Sequence, residues 1–279
     1  MQWIDHILNL AAWILWINGS MGLMQPWKPQ SGISLVGTLK ALSPSRMNPA
    51  WFFILGVALI LCFKILLLHY LGKPLASTVA VDFLLFPVFF KTGSLSHMAL
   101  MGVVTFTRFS FMGYLWLWFL RCLTTGKGME SLHGMLDAVL GPLGQRKAWL
   151  QGVLLWLLGV MLWTLLGALL ARLEILPGRD ASSLLWQATL ISSAAWMSLQ
   201  WLIYGMLALY LVHSYVYLGG WEGWDWLDQG VERLLWPLKP LRLHWKRIDF
   251  TPMVAWPLYA LLFDLIGRWL THQGVVAAL

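Results

Sequence analysis

Four ionisable side chains fall inside otherwise apolar runs of this sequence: Lys64, Arg108, Asp264 and Arg268. A charge moved from water into hydrocarbon is costly, so each demands a partner, a polar cavity or an ion pathway. Asp264 and Arg268 stand at i and i+4 with the acid first, the spacing at which a helix lets them neutralise each other. Lys64 and Arg108 lie too far inside their runs for an easy reach to the surface, and the expectation is that one of them contacts Asp264 or faces a polar cavity. His69 and His213 also occupy apolar runs, where facing imidazoles can ligate a haem. Nothing else marks such a pocket, so each is read as a hydrogen-bonded or interfacial histidine. Cys62 and Cys122 are far from any second cysteine or histidine ligand, which indicates neither a disulfide framework nor a zinc site. Metalloprotease, nucleophile-elbow, phosphate-loop, dinucleotide-binding and paired-acid motifs do not occur in a usable context. No catalytic residue, cofactor or metal is expected, and the chain is not read as an enzyme.

The elements that must position these residues follow from composition. Of 279 residues, 59% are apolar, 14% aromatic and 11% charged, and the mean hydropathy is +0.70, whereas a soluble domain carries roughly 25% charged residues. A soluble globular enzyme is excluded and a polytopic, all-α membrane protein is implied, because about 20 apolar residues cross a hydrocarbon core. Spans are read at 149–171, 51–72, 98–120 and 250–270, the last opening at Thr251-Pro252. The run 184–218 lacks Asp, Glu, Lys and Arg and would be about 52 Å long as one helix. It is read as one span near 195–217 preceded by an interfacial or tilted extension through Gln187. A sixth, short or tilted span near 3–20 contains Asp5, His6 and Asn9. Its acidic start, with no Lys or Arg before the apolar stretch, suits a retained span rather than a secretory signal. The segment 73–92 is too short to span, and Pro87 argues against a strand interior. An outer-surface or re-entrant element is expected there.

The six spans form three hairpins, each a span, a long basic connection and a span. The connections 19–48, 121–148 and 219–248 hold 12 of the 19 Lys and Arg residues, which by the positive-inside tendency makes them cytoplasmic and puts both termini outside. Were the first window not to cross, the N-terminus would lie inside. Gly113-Tyr114-Leu115 and Gly205-Met206-Leu207 align at an offset of 92, and Gly141-Pro142-Leu143 aligns with Trp236-Pro237-Leu238 at 95. The connections themselves are amphipathic. Met129, Leu132, Leu136, Val139, Leu140 and Leu143 recur at helical spacing opposite Glu130, His133 and Asp137. Trp221, Trp224, Leu227, Val231, Leu234 and Leu235 do so opposite Glu222, Asp225, Asp228, Glu232 and Arg233. Ile33, Val36, Leu39 and Leu42 form a weaker first copy. Such helices lie in the membrane interface and end at proline breaks, Pro142 and Pro237. They either cap the bundle or present a surface to a partner.

After the third amphipathic helix comes WPLKPLRLHWKRIDFTPMVAWPL, residues 236–258. This segment resembles the YggT (YlmG) family of small integral membrane proteins, whose hallmark is a P-x-x-R-P-I-R-R-like segment followed by I-D-F-S-P at the start of a span. The matching residues are Pro237, Lys239, Pro240 and Arg242, then Ile248, Asp249, Phe250, Thr251 and Pro252. Lys239 stands for an arginine, Leu243 replaces the second basic residue of the pair, and the two prolines are one residue closer. On physical grounds Asp249 or Thr251 can cap a helix whose first turn holds Pro252. Arg242, Lys246 and Arg247 can bind anionic lipid headgroups or anchor the topology.

Four segments result: an N-terminal hairpin at 1–72, the outer segment at 73–97, a central hairpin repeat at 98–173 and a C-terminal YggT-like hairpin repeat at 174–279. The resemblance implies a multi-pass protein of a plasma or inner membrane with an assembly or organisational role. Bacterial relatives are encoded near division genes, and plastid relatives are linked to cytochrome maturation and nucleoid distribution. Its partners would be the anionic bilayer and a membrane or cytoplasmic protein docked on the amphipathic helices, with no nucleic acid. The alternative is a small-solute or ion transporter or channel using Lys64, Arg108 and Asp264. Gly205 and Pro257 are the residues that could interrupt spans for that purpose.

Overall fold

The computed structural model describes residues 2–24, 50–75, 78–82, 87–124, 130–144, 146–176, 180–216, 219, 222–241, 244–245 and 248–278. It is mostly helical. In chain order the elements are α1 (Gln2–Met24), α2 (Ala50–Leu75), β1 (Thr78–Asp82), β2 (Pro87–Lys91), α3 (Leu95–Leu123), α4 (Glu130–Leu140), α5 (Ala148–Arg172), α6 (Ala181–Ala195), α7 (Leu199–Tyr215), α8 (Glu222–Leu234), β3 (His244–Trp245), β4 (Ile248–Asp249) and α9 (Thr251–Ala278). Among the described residues, five helices are long and apolar enough to cross a membrane: Ala50–Gly72, Leu95–Leu123, Ala148–Arg172, Ala181–Tyr215 and Thr251–Gln273. α1, the weakest of the six expected spans, is not one of them. The long helices turn apolar side chains outward, among them Trp51, Phe52, Leu59, Phe63, Met161, Leu165, Leu261 and Leu265. A water-soluble fold would bury such faces, whereas lipid is their natural solvent. The chain is a multi-pass membrane protein.

The chain divides into two compact units, residues 1–77 with 91–109, and residues 78–90 with 110–279. In the first, α1 and α2 run antiparallel at close range. A Cβ on Gly22 would stand 3.0 Å from Ala50 Cβ, and one on Gly56 3.0 Å from Leu15 Cδ1. Small residues let helix backbones approach in lipid, where dispersion rather than water expulsion drives packing. The α3 portion of this unit adds Gly102, which meets Ile65 in the same way. The weak amphipathic copy at 33–42 lies outside the described residues.

In the second unit α5 and α6 form an antiparallel hairpin. Gly152, Gly159 and Gly167 on α5 face Trp196, Ser192 and Leu184 respectively. Trp156 Nε1 donates to Ser193 Oγ at 3.1 Å, and Ser192 Oγ donates to Trp156 O at 2.9 Å. α6 and α7 are joined by a 3-10 turn, Trp196–Ser198. α9 returns alongside, with Trp256 stacked on Tyr204, Gly267 facing Met197 and Leu270 packed with Leu190 and Ala194. α6, the 3-10 turn and α7 together make the run Ala181–Tyr215, which is long and apolar enough to cross a membrane. Its first part packs along α5 and α9, and Leu207 shares a core with Ala255 of α9. Gly205 sits inside unbroken α7 and Pro257 inside unbroken α9, so neither interrupts its helix.

Two further expectations change. The 73–92 segment contains strands: β1 and β2 form a two-stranded sheet, with Val88 and Phe90 buried and Pro87, Phe89 and Lys91 exposed. Pro87 is the first strand residue, a place where its missing N–H is tolerated. Val88 packs near Trp163, Leu170 and Leu184, against the connecting end of the α5–α6 hairpin. At the other end of the unit, β3 pairs antiparallel with β4, His244 opposite Asp249 and Trp245 opposite Ile248. Phe250 O accepts the first α9 bond, from Val254 N–H at 3.1 Å. The cap position thus belongs to Phe250 rather than to Asp249 or Thr251, because Asp249 is drawn into the β4 pairing and Thr251 is already helical.

Candidate functional site

The first unit encloses one ammonium group completely. α1 carries Asp5 and Asn9 at i and i+4 on one face, α2 brings Lys64 against it, and α3 adds Thr105. Lys64 Nζ lies 2.6 Å from Asp5 Oδ1 and donates to Asn9 Oδ1 at 2.6 Å and to Thr105 Oγ1 at 2.6 Å. The three donors of an ammonium meet three oxygens. Asn9 Nδ2 donates to Asp5 Oδ2 at 3.0 Å, and Thr105 Oγ1 also reaches Met101 O at 2.9 Å. Lys64 is 0% exposed, and the Asp5 side chain 13%. Asp5 is thus the opening to a charge-compensated polar centre between apolar helices. Such a centre can hold helices in register or exchange its internal cation for another.

Lys64 pairs with Asp5, a partner that the sequence reading does not name. The signal lies in the spacing of Asp5 and Asn9, which one helical turn puts on the same face of the first span. Asp264 bonds Arg268 at 2.9 Å, with side chains 49% and 77% exposed, so that pair does neutralise itself on one helix face. Arg108 is half-buried in α3.

A second polar centre, in the other unit, was not anticipated. Arg121, in the last turn of α3, donates through Nε to Asp137 Oδ1 of α4, through Nη2 to Gly144 O and through Nη1 to Gln151 Oε1 of α5 at 3.2 Å. Gln151 is fully buried and also donates to Gly144 O at 3.1 Å and Arg146 O at 2.9 Å. The rigid guanidinium fork suits three acceptors at once. The turn that supplies Gly144 begins at Gly141, whose φ of 59° is the left-handed conformation glycine adopts without strain. α4 consequently lies clamped beneath the ends of α3 and α5, with Leu136, Val139 and Leu140 buried.

α8 is docked in a comparable way. Leu227, Val231, Leu234 and Leu235 enter a core with Leu123, Ile203, Met206, Leu207 and Ala255. Arg233 Nη1 donates to Leu123 O at 2.7 Å, and Tyr259 hydroxyl donates to Leu234 O at 2.7 Å. His213 is explained by α8: Nδ1 lies 3.3 Å from Asp228 Oδ1, and the ring stacks on Trp224 at 4.8 Å. His69 Nδ1 lies 3.0 Å from Thr92 O. Among the described residues no group of three His, Cys, Asp or Glu side chains is placed to hold a metal.

The motif residues fall into three places. Pro237, Lys239 and Pro240 form the 3-10 helix Trp236–Leu241, Ile248 and Asp249 form β4, and Phe250, Thr251 and Pro252 start α9. Arg242, Lys246 and Arg247, expected to bind lipid headgroups, lie outside the described residues, as do Trp221 and Met129. No family model matches this chain, and neither a curated protein nor a solved structure matches it.

Proposed function

We propose that this protein is a non-catalytic assembly or organisational factor of a plasma or inner membrane, presenting its two clamped amphipathic helices to a protein partner on the cytoplasmic side. The observation that carries this reading is the docking of α4 and α8. Their apolar faces are consumed inside the molecule, and Arg121 and Arg233 fix them to the ends of the spans. What remains outward includes the charged Glu130 and Asp225 together with Met135 of α4. Preorganisation of this kind lowers the ordering cost of binding, and the YggT-like segment adjoining α8 is in keeping with it. Deleting 221–236 would remove core residues along with the surface, so the discriminating variants are Glu130→Lys and Asp225→Lys. Cross-linking followed by affinity purification from membranes should recover a partner with the native chain and lose it with the charge reversals, insertion being unchanged. Recovery of the same partner by both reversed variants would reject the reading.

A second reading is favoured by the Lys64 centre. A buried, fully coordinated ammonium whose carboxylate partner has an exposed edge is also how a transporter could tether a cation surrogate. Uninterrupted α7 and α9 give this reading no pair of broken helices. Proteoliposome flux that is lost in Lys64→Met or Arg108→Gln would favour it over the assembly role.

A further inference from the structure

Beside the end of α8 lies a groove of about 440 Å³ lined by Gln229, Glu232, Arg233, Trp236 and Lys239. Its walls are held by the surrounding backbone. Arg233 is fastened to the last α3 carbonyl, Leu123 O, and the N–H groups of Leu238 and Lys239 return to Leu235 O at 2.9 and 3.1 Å. Tyr259 ties the neighbouring Leu234 carbonyl to α9. The groove therefore sits where α3 ends and α9 begins, the level at which hydrocarbon gives way to headgroups. Tryptophan is favoured at that depth, and the Trp236 side chain is left 71% exposed. Across the groove Lys239 Nζ and Glu232 Oε2 stand 3.9 Å apart, both side chains more than half exposed.

An exposed ion pair of this kind contributes little to folding. Its geometry is instead the complement of a small zwitterion, a phosphate and an ammonium joined by a short bridge. We infer that the groove binds the headgroup of an aminophospholipid of the phosphatidylethanolamine class. The phosphate is taken by Lys239 and the positive field of Arg233, and the primary ammonium by the Glu232 carboxylate and the Trp236 ring face. The acyl chains then enter the bilayer beside α9, which exposes Met253, Leu258 and Leu261. Phosphatidylglycerol lacks the cation that Glu232 needs. Phosphatidylcholine has a cation but no N–H to donate to the carboxylate. The site thus reads headgroup identity, where a cluster of basic residues alone would read only negative charge.

The test is native mass spectrometry of the full-length protein in mild detergent, titrated separately with phosphatidylethanolamine, phosphatidylglycerol and phosphatidylcholine of matched acyl chains, with inorganic phosphate as competitor. Phosphatidylethanolamine should be retained about tenfold more tightly than the other two, the scale of one charge-assisted contact. Glu232→Gln should bring the three lipids together, Trp236→Leu should weaken phosphatidylethanolamine selectively, and Lys239→Ala should weaken all three alike. These side chains are exposed, so the variants retain the fold. Equal retention of the three lipids, or an unchanged preference in Glu232→Gln, overturns the inference. Displacement by inorganic phosphate without headgroup preference would identify a free-anion site and overturn it as well.

Discussion

Lys64 shows what a single charge demands of its surroundings. Its ammonium is satisfied by Asp5, Asn9 and Thr105 together, and deleting one partner leaves the other charge stranded. Asp5→Leu and Lys64→Met should each destabilise the protein by about 3–5 kcal/mol, while the double variant should recover most of that loss, because replacing both ions by apolar groups removes the desolvation cost as well. Unfolding in detergent measures all three, and independent, additive losses would show that the pair is not coupled. Arg121 supports a second prediction. Lysine has no planar fork and cannot serve Asp137, Gly144 and Gln151 together. Arg121→Lys should therefore cost about 2–3 kcal/mol, since the acceptors it abandons are largely buried, and should raise protease cleavage between α3 and α5. Cleavage at the native rate would mean that the connection is held by its apolar contacts alone.

At the scale of elements, hydropathy made the long helices legible and helical periodicity made α4 and α8 legible. Leu136, Val139, Leu227 and Val231, all assigned to apolar faces from spacing, are buried. Hydropathy did not disclose the register of the α6–α7 rod, because a run without charges is equally apolar wherever it is cut. Small residues mark where α5 comes close, Gly159 and Gly167 against α6 and Gly152 against Trp118 of α3 and Trp196 of the 3-10 turn, and their contribution is closeness rather than hydrophobicity. Neither did spacing disclose the Arg121 centre, since its acceptors arrive from one helix, one turn and the next helix. The short β1–β2 pair was hidden by Pro87, which reads as a strand breaker unless it is the first strand residue. Gly159→Val tests the packing argument: its side chain would meet Ser192 Oγ and the Phe111 ring and should cost about 1–3 kcal/mol by overpacking. Gly205→Ala, which meets nothing within 4 Å, should be neutral or gain up to about 1 kcal/mol from helix propensity. Equal effects of the two substitutions would count against glycine-mediated helix approach.

At the scale of the larger unit, side-chain bonds decide which ends lie together. Arg121 joins the end of α3 to the start of α5, Trp118 Nε1 reaches Ala148 O at 3.0 Å, Arg233 joins α8 to the end of α3, and Tyr259 joins α9 to α8. α4 and α8 are therefore expected on one membrane face. Val88 of β2 packs at the opposite end of α5 and α6, near Leu170 and Leu184, so β2 and Asp180 are expected at the other face. In a variant lacking Cys62 and Cys122, single cysteines at Glu130 and Asp225 should behave alike toward an impermeant thiol reagent, and cysteines at Phe89 and Asp180 should behave alike and oppositely. The positive-inside tendency adds the sign, protection of the first pair in intact cells and labelling of the second. If Glu130 and Asp225 labelled differently, the shared face and the partner platform built on it would both fail. If the pairs held together with the signs reversed, the helix packing would stand while α4 and α8 met partners outside the cell, because the bonds fix which ends lie together and only the charge distribution chooses the side.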